Sequence, residues 1–588
     1  MKKVRIGGAS AFYGDSQLAA RQLVDKGDID YLVFDYLAEI TMGILAKAKA
    51  RDERQGYAVE FVTVAMQDVI SDCAEKGIKV IANAGGVNVP ACVTALQALC
   101  TDKGLDLKIA GVYGDDLSDR QAELAADLIE METGAPLPEK LASLNVYLGA
   151  QPIAEALTAG ADIIVTGRVV DSAVVIGPLM HEYGWQQDNY DALAQAALAG
   201  HILECGAQCT GGNFTDWHLV PDFSTMSYPV AEFSEDATFE ICIPPNTGGL
   251  VNVGTVGEQM LYEIGDPANY LLPDVACDFT AVNLQASGTD RVHVSGARGR
   301  APGQYYKACA TWIDGYRLMG MAFIGGPRAA EKARSSLNAW VQRTEREFEK
   351  RGLEGYRDTC LEVIGAESTY GPHAKASDTR EVMAKYGLHH NSREALGFAS
   401  REFAYLATSA APGMSGFGGG RAQPSPLIRV HSALLEKSKV PVTVQLGDQI
   451  LSQTTYESES SDAAAGERYS NISITGSSEL VSVPLEKLAY ARSGDKGDIA
   501  NIGVIARKPE YLPWLYQQLT AKAVADYFAH LVKGRVDRYE LPGINGFNFL
   551  MREALGGGGS ASLRIDPQAK AYAQMLLSME VKIPEPMS

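Results

Sequence analysis

Through the first 180 residues, short apolar runs rich in Val and Ile alternate with amphipathic stretches. The runs fall at 4–6, 31–34, 78–82, 107–112 and 161–165, and helical periodicity follows, first over 16–26. Strands joined by helical crossovers of about 15–40 residues predict an α/β fold with a parallel, Rossmann-like sheet covered on both faces. Each run ends in a polar loop. Asp35 follows the second, Asn83-Ala84-Gly85-Gly86-Val87-Asn88 the third, Tyr113-Gly114-Asp115-Asp116 the fourth and Thr166-Gly167-Arg168-Val169-Val170-Asp171 the fifth.

Ligands of such sheets bind outside the carboxyl ends of the strands, which makes Glu39, Asn83, Asn88, Asp115, Arg168 and Asp171 candidates by position. Asp115, Asp116 and Asp171 could equally cap helices. Arg168 could fork a carboxylate or phosphate, or pair internally with Asp171. The start, Gly7-Gly8-Ala9-Ser10, lacks the spacing of a dinucleotide fingerprint, so NAD is not expected.

Farther along, the runs shorten, near 281–284, 291–294 and 305–312, and a charged amphipathic helix is predicted over 326–351. Adjacent His389 and His390 are placed at the surface, near a helical stretch. Residues 1–200 are assigned to the parallel domain and 201–452 to a mixed α+β part. A polar linker is expected at 453–479, and β and α alternate over 480–588 as in a ferredoxin-like α/β sandwich. In that last unit strands are expected near 536–541, 545–551 and 561–565.

Two glycine pairs stand out in the middle of the chain: Gly211-Gly212-Asn213, with Asp216 just beyond, and Gly248-Gly249, with Asn252 beyond. Paired glycines admit a ligand close to backbone N–H groups, or serve as plain tight turns. Ahead of the first pair, His201 and Glu204 share a helix face, and a His–carboxylate pair suits proton transfer. Cys205 and Cys209 lack metal-site spacing, and no metal ligand set is assigned. Arg421 closes a glycine-rich loop from 409, read as a gripping lid or a connector. The loop is neither a P-loop nor a nucleophile elbow. In the tail, the hairpin from Arg492 to Asp498 could bind an anion through Arg492 and Lys496, or be held by internal ion pairs.

Charge narrows the partners. A net charge of -20 with no basic run opposes nucleic-acid binding, yet leaves room for an anionic substrate in a locally positive pocket. Nine cysteines, an odd number, read as thiols. The first residues lack the apolar core of a signal peptide, and no run reaches the roughly 18–20 apolar residues of a membrane span. A cytoplasmic protein without membrane partner is expected.

Several of these strings, in this order, resemble the acyclic terpene utilisation protein A family: Asn83 to Asn88, Val165 to Asp171, Gly211 to Trp217, Thr247 to Gln259 and Arg492 to Asp498. The resemblance implies an N-terminal α/β region, a C-terminal ferredoxin-like domain and a role in breaking down acyclic terpenoids such as citronellol and geraniol through branched acyl-CoA thioesters.

The expectation is an enzyme acting on a branched acyl-CoA or related carboxylate, a lyase or hydro-lyase. His201, Glu204 and Asp171 are its acid–base candidates. Asn83, Arg168, Gly211, Gly212, Asn213, Asp216, Gly248, Gly249, Asn252 and Arg421 are its binding candidates. No cofactor is expected beyond acyl-CoA as substrate, and a homo-oligomer is the expected state. The alternatives are a non-catalytic partner of the pathway's carboxylase and, on His and Asp content alone, an amide hydrolase.

Overall fold

The apolar runs become strands β1 (Val4–Gly8), β2 (Tyr31–Phe34), β3 (Lys79–Ala82) and β4 (Ile109–Tyr113). After β5 (Leu141–Val146), which leaves for another sheet, comes β6 (Ile163–Thr166). This is a computed structural model, and it describes residues 2–416, 420–458, 464–469, 472 and 479–587. β1, β2, β3, β6 and β4 pair in that order, all parallel, with Ile6 opposite Tyr31, Tyr31 opposite Lys79 and Val80 opposite Ile163. Every residue of β2 and β6 is buried, as a sheet covered on both faces requires. Helices Gln151–Thr158, Ala173–Tyr183 and Tyr190–Leu203 cover one face, and Ala19–Lys26, Gln67–Lys76 and Val89–Lys103 the other.

Antiparallel strands from much later in the chain extend this sheet. Val230–Phe233, Phe239–Cys242, Arg291–Ser295 and Asn283–Gly288 continue it beyond β1, and Val442–Leu446 and Gln449–Thr454 beyond β4. Position 200, taken above as a boundary, lies inside the helix Tyr190–Leu203, and segments on both sides of it build one sheet.

A second sheet forms around the long strand Tyr305–Gly325, which pairs with β5, Ser425–Glu436, Glu381–His390 and Met414–Ser415. The amphipathic helix, Ala329–Lys350, packs on it through buried Trp340, whose indole donates to Ala399 O at 3.0 Å. His389 and His390 are not at the surface. They end the strand Glu381–His390, both buried, and His390 Nδ1 accepts from Ser392 N–H at 2.7 Å. Of the glycine-rich loop at 409–421, positions 417–419 lie outside the described residues.

The C-terminal domain has the ferredoxin-like layout of helices on one antiparallel sheet, ordered Ala489–Lys496, Ile499–Ala506, Gly546–Met551, Val536–Leu541. No strand forms at 561–565, where Leu563 O instead accepts the ammonium of buried Lys385. Glu580–Pro584 pairs with Leu480–Pro484. The domain is tied to the main body by Arg507, bonded to both Asp216 oxygens at 2.5 and 2.6 Å, and by Asn501 Nδ2, which donates to Leu261 O at 2.7 Å. In the stretch expected to be a linker, the described residues 464–469 are tied at both ends. Ala464 N–H donates to Asn269 Oδ1 at 3.0 Å, and Tyr469 OH donates to Gly546 O at 3.0 Å.

Candidate functional site

Three neighbouring parallel strands deliver polar groups to one place. Asp35 follows β2, Asn83 follows β3, and Arg168 and Asp171 follow β6. Asn83 is fully buried; its Nδ2 donates to Asp35 Oδ1, and its Oδ1 accepts from Tyr36 N–H at 2.7 Å. That pair of bonds locks the ends of β2 and β3 together.

The end of β6 is held from β4. Asp115 Oδ2 accepts the backbone N–H of Arg168 at 2.7 Å and Asn145 Nδ2 at 3.0 Å. Gly167 is required for this approach, because a Cβ there would stand 2.1 Å from Asp115 Oδ1. Burial pushes the Asp115 carboxyl up to about 7. Arg168 in turn donates to Leu37 O and, at 3.1 Å, to Asp171 Oδ1, with its guanidinium 4.2 Å from the centre of the Tyr147 ring. Its Nε has no partner.

Glu204 reaches the same point from the end of the helix Tyr190–Leu203. Gly200 permits the approach: a Cβ there would lie 2.6 Å from Ser172 Cα. Carboxylate oxygens of Asp35, Asp171 and Glu204 then lie within 4.8 Å of one another. With Gly8, Ser10 and Gly200 they enclose a void of about 10 Å³, roughly the space of one water. Three oxygens at that spacing can share protons or hold a divalent cation. Asn83 and Arg168 already occupy one oxygen each of Asp35 and Asp171, and the Arg168 charge opposes a second cation.

Carboxylates this close cannot all ionise. Burial, reinforced by the charge of Asp171, holds Asp35 well above the usual carboxylate range, against the pull of Arg168. Burial also raises Glu204, although His201 works against it. His201 Nδ1 lies 3.1 Å from Glu204 Oε1, and its Nε2 faces Met260 O at 3.2 Å. Burial disfavours charge on this imidazole, but the Glu204 carboxylate outweighs it and leaves His201 above its ordinary value.

Paired charges pack around this cluster. Glu39, at the start of the helix Glu39–Lys49, accepts from Tyr147 OH at 2.7 Å and faces Lys307 Nζ at 3.4 Å. Burial opposes its ionisation, yet Lys307, Lys496 and Arg168 hold it well below the usual range. The Tyr270 ring stands 5.6 Å from His201.

Among the residues singled out from sequence, Asn83, Arg168, Asp171, His201 and Glu204 converge here, with Asp115 and Glu39 packed around them. The glycine pairs, Asn213, Asp216, Asn252 and Arg421 make their contacts elsewhere. The glycine pairs pack against each other, with Leu250 N–H donating to Thr210 O at 2.8 Å. Their own amides are engaged: Gly211 to Gln208 O, Gly212 to Ala207 O, Gly248 to Thr225 O and Gly249 to Ser227 Oγ. No N–H of the four is left to hold an oxyanion, so turn geometry accounts for them. Asn213 adopts φ +57 and offers its carbonyl to Arg492 at 2.7 Å. Asn252 caps the helix Val253–Met260, and Asp216 is committed to Arg507. Arg421 is exposed and beside Ala422, whose carbonyl accepts Ser400 Oγ.

Sequence reasoning passed over Asp35, Tyr147, Lys307 and Tyr270. Asp35 carried a usable signal, since it ends an apolar strand as Asn83 does. Lys307 and Tyr270 sit in segments whose local pattern points nowhere near the parallel sheet.

Comparison with known families follows the same division of the chain. The family model described as acyclic terpene utilisation family protein AtuA matches residues 4–446, and the AtuA ferredoxin-like domain matches residues 483–582. No curated protein and no solved structure matches the chain.

Proposed function

Because this chain belongs to the acyclic terpene utilisation family AtuA, we propose that it is an enzyme of acyclic terpenoid breakdown that moves protons on a branched acyl-CoA or related carboxylate. The reaction class is that of a lyase or hydro-lyase. One observation carries the reading: the carboxyl groups of Asp35, Asp171 and Glu204 lie within 4.8 Å of one another, burial raises the first well above the usual carboxylate range, and His201 stands beside Glu204 and the buried Arg168 beside Asp171.

Elimination of water next to a thioester needs one group to take the α-proton and another to give a proton to the departing hydroxyl. Asp171, salt-bridged to Arg168 and with 24% of its side chain accessible, is the base of this scheme. Asp35, whose carboxyl burial raises well above the usual range, is the source of the proton that leaves with the hydroxyl. The C–H pair forms the double bond, the C–O bond breaks, and water departs with both protons accounted for. After turnover Asp171 holds the proton that Asp35 has lost, and its passage back to Asp35, whose oxygens lie within 4.8 Å, resets the cluster, with His201 and Glu204 beside it to relay it. Negative charge gathering on the thioester oxygen would be met by the Arg168 guanidinium and by Lys307 beside Glu39. Among the described residues no helix is long and apolar enough to cross a membrane.

The test is exchange of solvent deuterium into CoA thioesters of citronellol- and geraniol-derived acids, followed by mass spectrometry with the purified protein. Incorporation that disappears in Asp171→Asn is expected. A protein that neither binds nor exchanges any of these thioesters, yet captures a biotin-dependent carboxylase, would overturn it in favour of a non-catalytic partner.

A further inference from the structure

The strand Ser425–Glu436 alternates, and its inward side runs through Ala433 and Leu435, both buried. The next position on that side is a lysine. Lys437 opens a short turn, Lys437–Lys439, with its backbone N–H held by Gln304 O at 2.9 Å. Its side chain therefore follows Leu435 inward and is only 2% exposed. There it lines a cavity of about 200 Å³ whose apolar wall comes from Pro152, Met180, Leu193 and Tyr306. Exposed Gln187 and Glu457 complete the lining toward solvent. A void of that size holds roughly seven waters, or a molecule somewhat larger than benzene, which occupies an engineered apolar cavity of about 150 Å³.

The cavity is separate from the carboxylate cluster. Tyr190 and Leu193 line it at the start of the helix Tyr190–Leu203, and Glu204 follows the far end, roughly 16–21 Å away at 1.5 Å per residue. Lys437 Nζ donates to Pro273 O at 2.7 Å and to Ser458 Oγ at 2.8 Å, and the Ser458 hydroxyl gives its own hydrogen to Gly303 O at 2.8 Å. Two acceptors match the two N–H bonds of a neutral amine and leave the nitrogen lone pair free. Among the described residues no carboxylate forms an ion pair with this amine, which stands 5.7 Å from the centre of the Tyr306 ring. Asp274, also on the lining, has both oxygens engaged by Ala150 N–H at 2.9 Å. Burial brings the Lys437 ammonium down to about 8, against the opposing pull of Asp274.

We propose that Lys437 is the nucleophile of a second site, where its amine condenses with the carbonyl carbon of a small, largely apolar aldehyde or ketone. The nitrogen lone pair forms the C–N bond, the carbonyl C–O bond breaks, and the oxygen leaves as water with both amine hydrogens, so that an imine remains. No oxidant or reductant enters the balance. A neutral carbonyl compound fits this cavity better than an anion, because Asp274 and Glu457 already place carboxyl groups on its lining. The proposal goes beyond the reaction above and does not depend on it.

The test incubates the full chain with benzaldehyde, reduces any imine with sodium cyanoborohydride and locates the benzyl group by peptide mass spectrometry. Lys437 should be labelled at least about tenfold faster than Lys522, whose side chain is 82% accessible, because a buried amine drawn toward its neutral form is the stronger nucleophile. Benzyl alcohol, of the same shape without the carbonyl, should slow labelling of Lys437 and leave that of Lys522 unchanged. In the intact mass, the first benzyl group taken up by the wild-type chain should be missing from Lys437→Arg, which keeps the charge and forms no imine. Comparable rates at Lys437 and Lys522 overturn the proposal, and so does labelling of Lys437 that the alcohol fails to slow. Both outcomes are read on the wild-type chain, whether or not the variant folds.

Discussion

His201 Nδ1 stands 3.1 Å from Oε1 of Glu204 while its Nε2 faces the carbonyl of Met260 at 3.2 Å. The imidazole therefore stands between two oxygens, in charge contact with the Glu204 carboxyl on one side and against a main-chain carbonyl on the other. Glu204→Gln keeps the shape of this pair and removes its capacity to trade protons. Steady-state rates of that variant should fall about 10²- to 10⁴-fold, the usual worth of positioned acid–base catalysis. Substrate affinity should change far less. A variant of full activity would remove the pair from the mechanism.

Asp115 gives a pH signature that does not depend on activity. Its carboxyl stands at about 7 in the folded protein against an ordinary 3.8. Between those values the folded state keeps a proton that the unfolded chain releases, so this group's contribution to stability falls as pH rises and is fully present only below the unfolded value. For one such group the slope is at most about 1.4 kcal/mol per pH unit. Guanidinium denaturation across this range should show a shallower decline for Asp115→Asn than for wild type, and parallel curves would count against it.

Asp216 and Arg507 join the two domains through bonds of 2.5 and 2.6 Å, with Arg507 stacked 4.2 Å from the centre of the Tyr490 ring. Asp216→Ala should cost about 1–3 kcal/mol, because it leaves a half-buried guanidinium without its charged partner. The double variant with Arg507→Ala should lose less than the sum of the single changes. Additive losses, measured by thermal or chemical unfolding, would mean that the pair does not act as a unit.

Gly249 tests the role of the glycine pairs. A Cβ there would lie 2.6 Å from Ser227 Oγ and 2.9 Å from Thr210 O. Gly249→Ala should lower stability by about 1–3 kcal/mol through overpacking, with KM for the acyl substrate unchanged in the molecules that remain folded. A raised KM at unaltered stability would restore the pair to the binding site.

Three of the residues the structure brings together share one property: each follows a short strand with an apolar run, Val80–Ala82 ahead of Asn83 and Ile163–Val165 ahead of Arg168 and Asp171. Asn83, Arg168 and Asp171 could be put at the carboxyl edge of a parallel sheet because a buried strand announces itself by composition, and its polar successor must leave the core. His201 and Glu204 were legible for a similar local reason, since a spacing of three puts both on one helix face. Gly211, Gly212, Gly248 and Gly249 misled because a glycine pair looks the same whether its N–H groups await a ligand or are satisfied by Gln208, Ala207, Thr225 and Ser227. Only the identity of the acceptor separates the two cases, and that acceptor is not written beside them.

By itself, then, the chain's pattern of apolar and polar positions determined the parallel core, the separate tail domain and the strand ends where charge gathers, because burial of a strand or a helix face is a local demand on composition. The tertiary structure decided which charges meet. Lys307 comes from a strand of the second sheet and Lys496 from the tail hairpin, and both reach Glu39 only because distant segments pack together. Coulomb energy depends on distance through the folded body, and a distance between segments far apart in the chain has no trace in the sequence around either one.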